Sequence, residues 1–130
     1  MILVDTHVVV WLAFDQDQLT RPARAAIDNA RKNASGLAIS DITLVELATL
    51  ASKQRIQLDI SLESFLQEVE SRFIVLPMSV RVCARAMGLP GTYPKDPADR
   101  IIGATALVEG LSLLTADRQI RRSKAVHTVW

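Results

Sequence analysis

The sequence predicts an α/β fold, a three-layer α/β/α sandwich in which helices cover both faces of a central, mainly parallel sheet. Short apolar runs alternate with helical segments along the whole chain, which is the pattern of parallel strands joined by helices. The chain has 130 residues, 49% of them hydrophobic, which is enough for one sizeable core and too little for two independent ones. We therefore expect a single domain spanning residues 1–130, without internal repeats.

The first third of the chain predicts a strand, two helices and a second strand. MILVD, residues 1–5, is short, apolar and rich in β-branched side chains, which is typical of a strand buried on both faces. Residues 6–14 continue as a helix. Pro22 stands where a first helical turn tolerates proline, so a second helix follows over 22–32. LAIS, residues 37–40, is the second strand.

The middle of the chain contains two helices, a strand and a further helix. Ser40 or Asp41 can cap the first of these helices, and Ser61 can cap the second. FIVLP has the composition of a buried strand, and the next helix ends before Gly88. The predicted elements are a helix over 41–53, a helix over 61–71, a strand over 73–77 and a helix over 79–87.

The last third begins with the turn-rich segment GLPGTYP, residues 88–94, which is the one candidate for a hinge or flap. A helix over 97–110 follows, with proline at its start and Gly110 at its end. LSLLT and AVHTVW are apolar runs separated by a short helical segment. They predict strands over 111–115 and 125–130, with a helix over 117–122 between them.

Composition and charge narrow the class of protein. A formal net charge of +1 provides no global basic field, so any contact with nucleic acid depends on local patches. The single cysteine, Cys83, excludes an internal disulfide, fits a reducing cytosol and is expected as a small buried hydrophobe. The apolar start lacks a basic leader, and Asp5 interrupts it. We expect a cytoplasmic protein without a membrane span.

Acidic residues recur where the predicted strands end. Asp5 closes the first strand, Asp117 follows LSLLT, and Asp96 and Asp99 open the helix over 97–110. Ligands of open parallel sheets bind beyond the carboxyl ends of the strands. We therefore expect these carboxylates to meet at one edge of the sheet.

Glu46 is the acid that ordinary packing explains least. On its helix it shares a stripe with Ile42 and Leu50, so it is expected to be partly buried or paired. A buried carboxylate costs several kcal/mol or becomes protonated, and grouping several adds mutual repulsion. A divalent cation relieves both costs, and hard carboxylate oxygens favour Mg²⁺ or Mn²⁺.

Each acid also has a structural interpretation. Asp96 before Pro97 has the position of an N-cap, and Asp99 can complete a capping box. Asp117 can cap the short helix that follows it. Asp5 can be a surface acid at a strand end, and Glu46 can pair with Arg100 or a nearby lysine.

Four motifs occur in register along the chain: LVDTHVVVW, ISDITLVEL, DPADRIIGATAL and LLTADRQI. Together they resemble the motifs of the PIN-domain ribonucleases, most closely those of the toxin members called VapC. The resemblance extends over nearly the whole chain. It assigns the family's four acids to Asp5, Glu46, Asp99 and Asp117. Thr6 and Thr115 occupy positions where the family often has a hydroxyl beside the acids, and Asp96 is the first aspartate of the DPxD motif.

The resemblance implies a toxin that cleaves RNA phosphodiester bonds with Mg²⁺ or Mn²⁺ as cofactor. Asp5 and Asp99 would bind the metal directly, while Glu46 and Asp117 would hold waters or a second ion. It also implies a homodimer bound to a VapB-type antitoxin, which inserts a segment into the acidic groove. The helix over 6–14, with Trp11 and Phe14, can form part of that surface, although core packing is the alternative use of these side chains.

A basic segment follows the fourth acid. Its candidates for binding an RNA backbone are Arg118, Arg121, Arg122 and Lys124. A solvated helix face is the alternative. Tyr93 can stack on a base or simply pack, and His7 can approach the acids or lie partly buried on its helix.

Two other functions remain open from the sequence. One is a PIN-like module that binds RNA or protein without cutting, although retention of all four acids argues against it. The other is a Mg²⁺-binding phospho-acceptor signalling domain, which needs a pair of acids after the first strand, where VDTH supplies one.

Overall fold

Five parallel strands form one sheet in the computed structural model, which describes residues 1–33 and 35–130. The strand order across the sheet is β3-β2-β1-β4-β5, and every neighbouring pair is parallel. The strands are β1 (Ile2–Val4), β2 (Leu37–Ser40), β3 (Ile74–Leu76), β4 (Leu113–Leu114) and β5 (Thr128–Val129).

Seven α-helices connect and cover the strands within these described residues. They are α1 (Thr6–Phe14), α2 (Arg21–Lys32), α3 (Asp41–Ser52), α4 (Leu62–Arg72), α5 (Val80–Met87), α6 (Pro97–Glu109) and α7 (Arg118–Ser123). A short 3₁₀ helix, Gln16–Gln18, lies between α1 and α2. Among residues 1–33 and 35–130, no helix combines the length and apolar character that crossing a bilayer requires.

Alternate strand residues supply the two faces of the core. Ile2 and Val4 of β1 pack with side chains of α1, α2 and α4, whereas Leu3 packs on the opposite face with residues of α6 and α7. Helix α5 covers α6 from outside through Val82 and Ala86. Because both faces are covered, the strands read as continuous apolar runs in the sequence. The predicted three-layer α/β/α architecture is confirmed.

All predicted helices and strands are present, with shifted ends. The last two strands are shorter than expected because each keeps only two residues in the parallel ladder. Ser40 rather than Asp41 caps α3, since its Oγ accepts from the backbone N–H of Ile42 at 3.3 Å. Asp41 instead accepts a bond from the backbone N–H of Met78.

One expectation about a single residue is wrong. Cys83 is exposed, because the buried face of α5 is formed by Val82 and Ala86, and the next helical position points away from it. The segment expected as a hinge or flap is anchored to α6. Its Tyr93 is fully buried, and its hydroxyl donates to the Asp99 carbonyl at 2.9 Å.

Candidate active site

The predicted acids meet where the order of the strands changes direction. From β1 the chain runs outward to β2 and β3, whereas β4 and β5 lie on the other side of β1. Asp5 directly follows β1, and Thr115 directly follows β4. The Thr115 hydroxyl donates to Asp5 Oδ2 at 2.8 Å and so joins the two strand ends. Such a point in a parallel sheet is the usual position of a ligand site.

Asp5 is a buried carboxylate, not the surface acid that one interpretation allowed. Only 3% of the residue is exposed. Its Oδ1 caps α1 by accepting from the Thr6 N–H at 2.9 Å, and its Oδ2 accepts from Thr115. These bonds fix the orientation of the carboxylate at the sheet edge.

His7 approaches the acids while remaining half-buried on α1. Its Nε2 accepts from the Ala116 backbone N–H at 2.9 Å, so the ring proton lies on Nδ1. That Nδ1 is 3.7 Å from Asp5 Oδ2. The ring also packs edge-on against Trp11, with 5.0 Å between centroids. His7 therefore joins the loop after β4 to the first turn of α1.

Glu46 reaches the same edge from α3, where hydroxyl groups hold it. Thr6 Oγ1 donates to Glu46 Oε1 at 2.6 Å and lies 3.0 Å from Thr43 Oγ1. Burial raises the pKa of Glu46; the Thr6 hydrogen bond lowers it, and the charges of Asp5 and Asp96 raise it further. Thr43 is a site residue that sequence reasoning missed, although its position three residues before Glu46 places it on the same helix face.

The alternative partner for Glu46, Arg100, lies elsewhere. Its guanidinium donates to the carbonyl oxygens of Ala86 and Leu89, both at 3.3 Å. In the described residues, Glu46 forms no ion pair with arginine or lysine. The salt-bridge interpretation of Glu46 is therefore wrong.

The two aspartates of the DPxD motif have different roles. Asp96 is the N-cap of α6, and its Oδ1 accepts from the Asp99 backbone N–H at 3.1 Å. The Asp99 carboxylate does not complete the capping box within the described part of the chain. Burial, followed by the charges of Asp5, Asp96, Glu46 and Asp117, raises the pKa of Asp99 to about 7. Asp99 thus lies within the field of all the other acids.

Asp117 caps α7, as its structural interpretation predicted. Its Oδ1 accepts from the Ile120 N–H at 2.9 Å, and its own N–H donates to Thr115 Oγ1 at 3.1 Å. Its charge still contributes to the raised pKa of Asp99. Asp117 therefore belongs to the acidic edge while also stabilising a helix.

Asp5, Glu46 and Asp99 line one open cavity of about 500 Å³. Thr6 and His7 also lie on its wall, whereas Asp96 and Asp117 do not. The wall also includes two cations that sequence reasoning missed, Lys53 and Arg55. A larger cavity of about 660 Å³ lies between α1 and α4, against Phe14 and Phe65, away from the three acids.

The predicted RNA-binding arginines, Arg118, Arg121 and Arg122, are exposed on α7. They do not line the acidic cavity. In the described residues none of them forms an ion pair. Their role toward RNA stays a prediction. Tyr93 is fully buried, so it packs and does not offer a face to a base.

The acids have the chemistry of a site for a hard divalent cation. They provide carboxylate oxygens at one edge, with no lysine or arginine within ion-pair distance in the described residues. In their present rotamers, however, no three His, Cys, Asp or Glu side chains among those residues stand close enough to hold an ion together. Binding one metal through several acids therefore requires side-chain rotation.

Comparisons with known proteins agree with this geometry. Ribonuclease VapC22 of Mycobacterium tuberculosis is 39% identical over 131 residues, covering 99% of this chain and 98% of that protein. A solved structure of VapBC2 from Rickettsia felis bound to a promoter DNA fragment is similar in fold, with a TM-score of 0.73, 20% identity and coverage of 98% and 97% of the two chains.

A toxin-antitoxin complex from Klebsiella pneumoniae contains a chain that is 26% identical, with a TM-score of 0.62 and coverage of 90% of this chain and 87% of that one. The family model described as PIN domain matches residues 2–125. Both the sequence motifs and the arrangement of acids at the sheet edge fall within that match. The chain belongs to the PIN-domain family.

Proposed function

We propose that the protein is an endoribonuclease toxin of the VapC type, which cleaves RNA with Mg²⁺ or Mn²⁺ and is neutralised by a VapB-type antitoxin. The observation that carries the proposal is the convergence of Asp5, Glu46 and Asp99 on one cavity at the sheet edge. Identity of 39% over the whole chain to a protein named a ribonuclease supports the same activity.

The four acids at the sheet edge supply positions for the metal. Asp5 and Asp99 would hold the ion, and Glu46 and Asp117 would hold waters or a second ion. A bound Mg²⁺ or Mn²⁺ would activate water, neutralise the phosphate and stabilise the leaving oxygen. Thr6 donates to one oxygen of Glu46, a residue that lines the cavity. The Thr115 hydroxyl and the Thr6 backbone N–H keep Asp5 in place.

A cleavage assay on total cellular RNA tests the activity. The purified protein, freed of antitoxin, should create new RNA ends in Mg²⁺ or Mn²⁺ and should stop in EDTA, as read by sequencing of those ends. Total RNA is the fairer substrate, because a toxin with narrow specificity can ignore a random oligomer.

The matched control is Asp5→Asn, which keeps the shape of the side chain and removes a charged ligand. Its cleavage should fall by orders of magnitude while the fold survives, which also controls for a contaminating nuclease. If metal-dependent ends are absent in the wild type, or persist undiminished in Asp5→Asn, the non-cutting binding module becomes the better account.

The antitoxin is a separate part of the proposal. It is supported by the toxin-antitoxin complex whose chain is 26% identical to this one. The product of a short neighbouring reading frame that encodes a DNA-binding protein should co-purify with the toxin and abolish its cleavage. We also propose a homodimer, on the basis of the family resemblance, and light scattering of the purified protein tests that mass.

A further inference from the structure

We propose that Lys53 and Arg55 bind the RNA backbone beside the bond that is cut, and so position the strand over the acidic cavity. This inference rests on the proposed ribonuclease function and names residues of substrate binding that the four acids do not include. Both side chains line the cavity that contains Asp5, Glu46 and Asp99.

The end of α3 places the two cations on the same wall. The helix ends at Ser52, and Gln54 takes a left-handed conformation with φ of 58°. The Arg55 N–H donates to the Leu50 carbonyl at 2.9 Å, and the Gln54 N–H donates to the Ala51 carbonyl at 3.0 Å. These bonds form a helix-terminating turn of the Schellman type, which fixes the chain on both sides of Gln54.

The charges of Lys53 and Arg55 are available to a ligand. Both residues are exposed, and neither forms an ion pair in the described residues. Ile56, which is 9% exposed, anchors the chain directly after them. The two long side chains therefore extend from a fixed backbone into solvent at the rim of the cavity.

A polyanionic substrate needs such cations at this place. Carboxylates at the cavity repel the phosphates of an RNA strand, and contacts from lysine and arginine to neighbouring phosphates offset that repulsion. Phosphate contacts of this kind set the register of a strand without reading its sequence. The cavity wall does not include Arg118, Arg121 or Arg122. The lysine and arginine that line it are Lys53 and Arg55, so these two are placed to contact the phosphates there.

The competing explanation is structural, because cations stabilise the C-terminal end of a helix through its dipole. The two explanations differ in their kinetic effect. A role in helix stability changes the melting temperature and leaves substrate affinity and its salt dependence unchanged. A phosphate contact changes affinity and salt dependence and leaves the maximal cleavage rate unchanged.

The test compares Lys53→Gln/Arg55→Gln with the wild type on total cellular RNA, with enzyme in excess and at several KCl concentrations. The enzyme concentration that gives the half-maximal rate should rise about 10-fold at low salt. The slope of its logarithm against the logarithm of the KCl concentration should fall by about 1.4, which corresponds to the loss of two contacts with single-strand phosphates. The maximal rate should stay within about twofold, since phosphate contacts position and do not react.

The matched control is Arg81→Gln/Arg85→Gln, which removes the same charge from exposed positions of α5 that line a different cavity. It should behave as the wild type. If the double variant at α3 unfolds, the single variants Lys53→Gln and Arg55→Gln should each show about half of the change in salt slope. Lys53→Arg should retain wild-type affinity.

The outcomes separate the two proposals. A wild type that cuts, with an α3 variant equal to the α5 control, overturns the positioning role and leaves the ribonuclease standing. A lower maximal rate with unchanged affinity and salt slope also overturns it. A wild type that does not cut at all overturns the ribonuclease and this inference with it.

Discussion

At the scale of single residues, the grouping of the acids shows in the raised pKa of Asp99. Burial and four neighbouring carboxylates raise its pKa to about 7 from an ordinary value of 3.8. Each of those carboxylates is held for a local reason, such as the cap that Asp96 provides to α6. Within residues 1–33 and 35–130, the Asp99 carboxylate accepts no hydrogen bond, so it is the side chain that a cation would stabilise most.

This shift predicts how the stability of the metal-free protein depends on pH. A pKa that is higher in the folded state favours folding when Asp99 is protonated. That contribution is fully present below the unfolded pKa near 3.8 and is lost as the pH rises through about 7. In EDTA, the melting temperature of Asp99→Asn should therefore exceed that of the wild type increasingly from pH 5 to pH 8. An equal difference at both pH values would contradict the shift.

Residue exposure was the least predictable property from the sequence. Lys53 and Arg55 escaped notice because their direction depends on the left-handed Gln54 after α3, which no glycine or asparagine marks. The burial of Tyr93 and the exposure of Cys83 were also hard to predict. Both depend on how α6 and α5 pack, and local sequence does not specify that packing. By contrast, the positions of Asp5 and Asp117 were predictable because each follows the end of a strand.

At the scale of elements, the start of α6 separates a capping acid from an acid of the site. Asp96→Ala should cost about 0.5–2 kcal/mol of unfolding free energy, because the Asp99 N–H loses its cap. Cleavage measured well below the melting temperature should fall only partly. Asp99→Ala should remove nearly all cleavage with little loss of stability. The reverse pattern in thermal melts and cleavage assays would show that the metal site is misplaced by one helical turn.

The contact between α6 and the preceding loop gives a second prediction at this scale. A Cβ on Gly103 would lie 2.3 Å from the Tyr93 hydroxyl oxygen. Gly103→Ala should therefore destabilise the protein by about 1–3 kcal/mol in denaturant melts, despite the better helix propensity of alanine. Gly91→Ala is the control, since nothing lies within 4 Å of its added Cβ. Equal stability of the two variants would show that Tyr93 does not pack against Gly103.

Element type was predictable for each α-helix and strand, while element ends were not. The strands β4 and β5 end where parallel pairing to β1 and β4 ends, which is a tertiary limit. The 3₁₀ helix Gln16–Gln18 has no apolar periodicity to reveal it. The candidate hinge over 88–94 is bonded to α6 through the Tyr93 hydroxyl and through Arg100, which donates to the Leu89 carbonyl, and these tertiary contacts were not predictable.

At the scale of the whole molecule, the fold collects the acids at one edge of the sheet. Parallel strands β1 and β4 end at one edge, and α3 and α6 begin near it, so Asp5, Glu46 and Asp99 reach one cavity from three parts of the chain. Sequence order predicted that Asp5 and Asp99 share this edge, because parallel strands share the direction of their ends, and the family resemblance added Glu46. The sequence did not predict the side-chain rotamers, in which no three of the described acids stand close enough to hold one ion together.

The central claim is that these carboxylates share a divalent cation, and thermal melting with and without Mn²⁺ tests it most directly. Binding to the native state should stabilise the wild type by about 2.7 kcal/mol when Mn²⁺ is at 100 times its Kd. Asp99→Asn should melt at or above the wild-type temperature without metal and should lose the Mn²⁺-dependent increase. Asp28→Asn, at an exposed position of α2, should keep that increase. A wild type that ignores Mn²⁺, or an Asp99→Asn variant that responds as fully as the wild type, would contradict the claim.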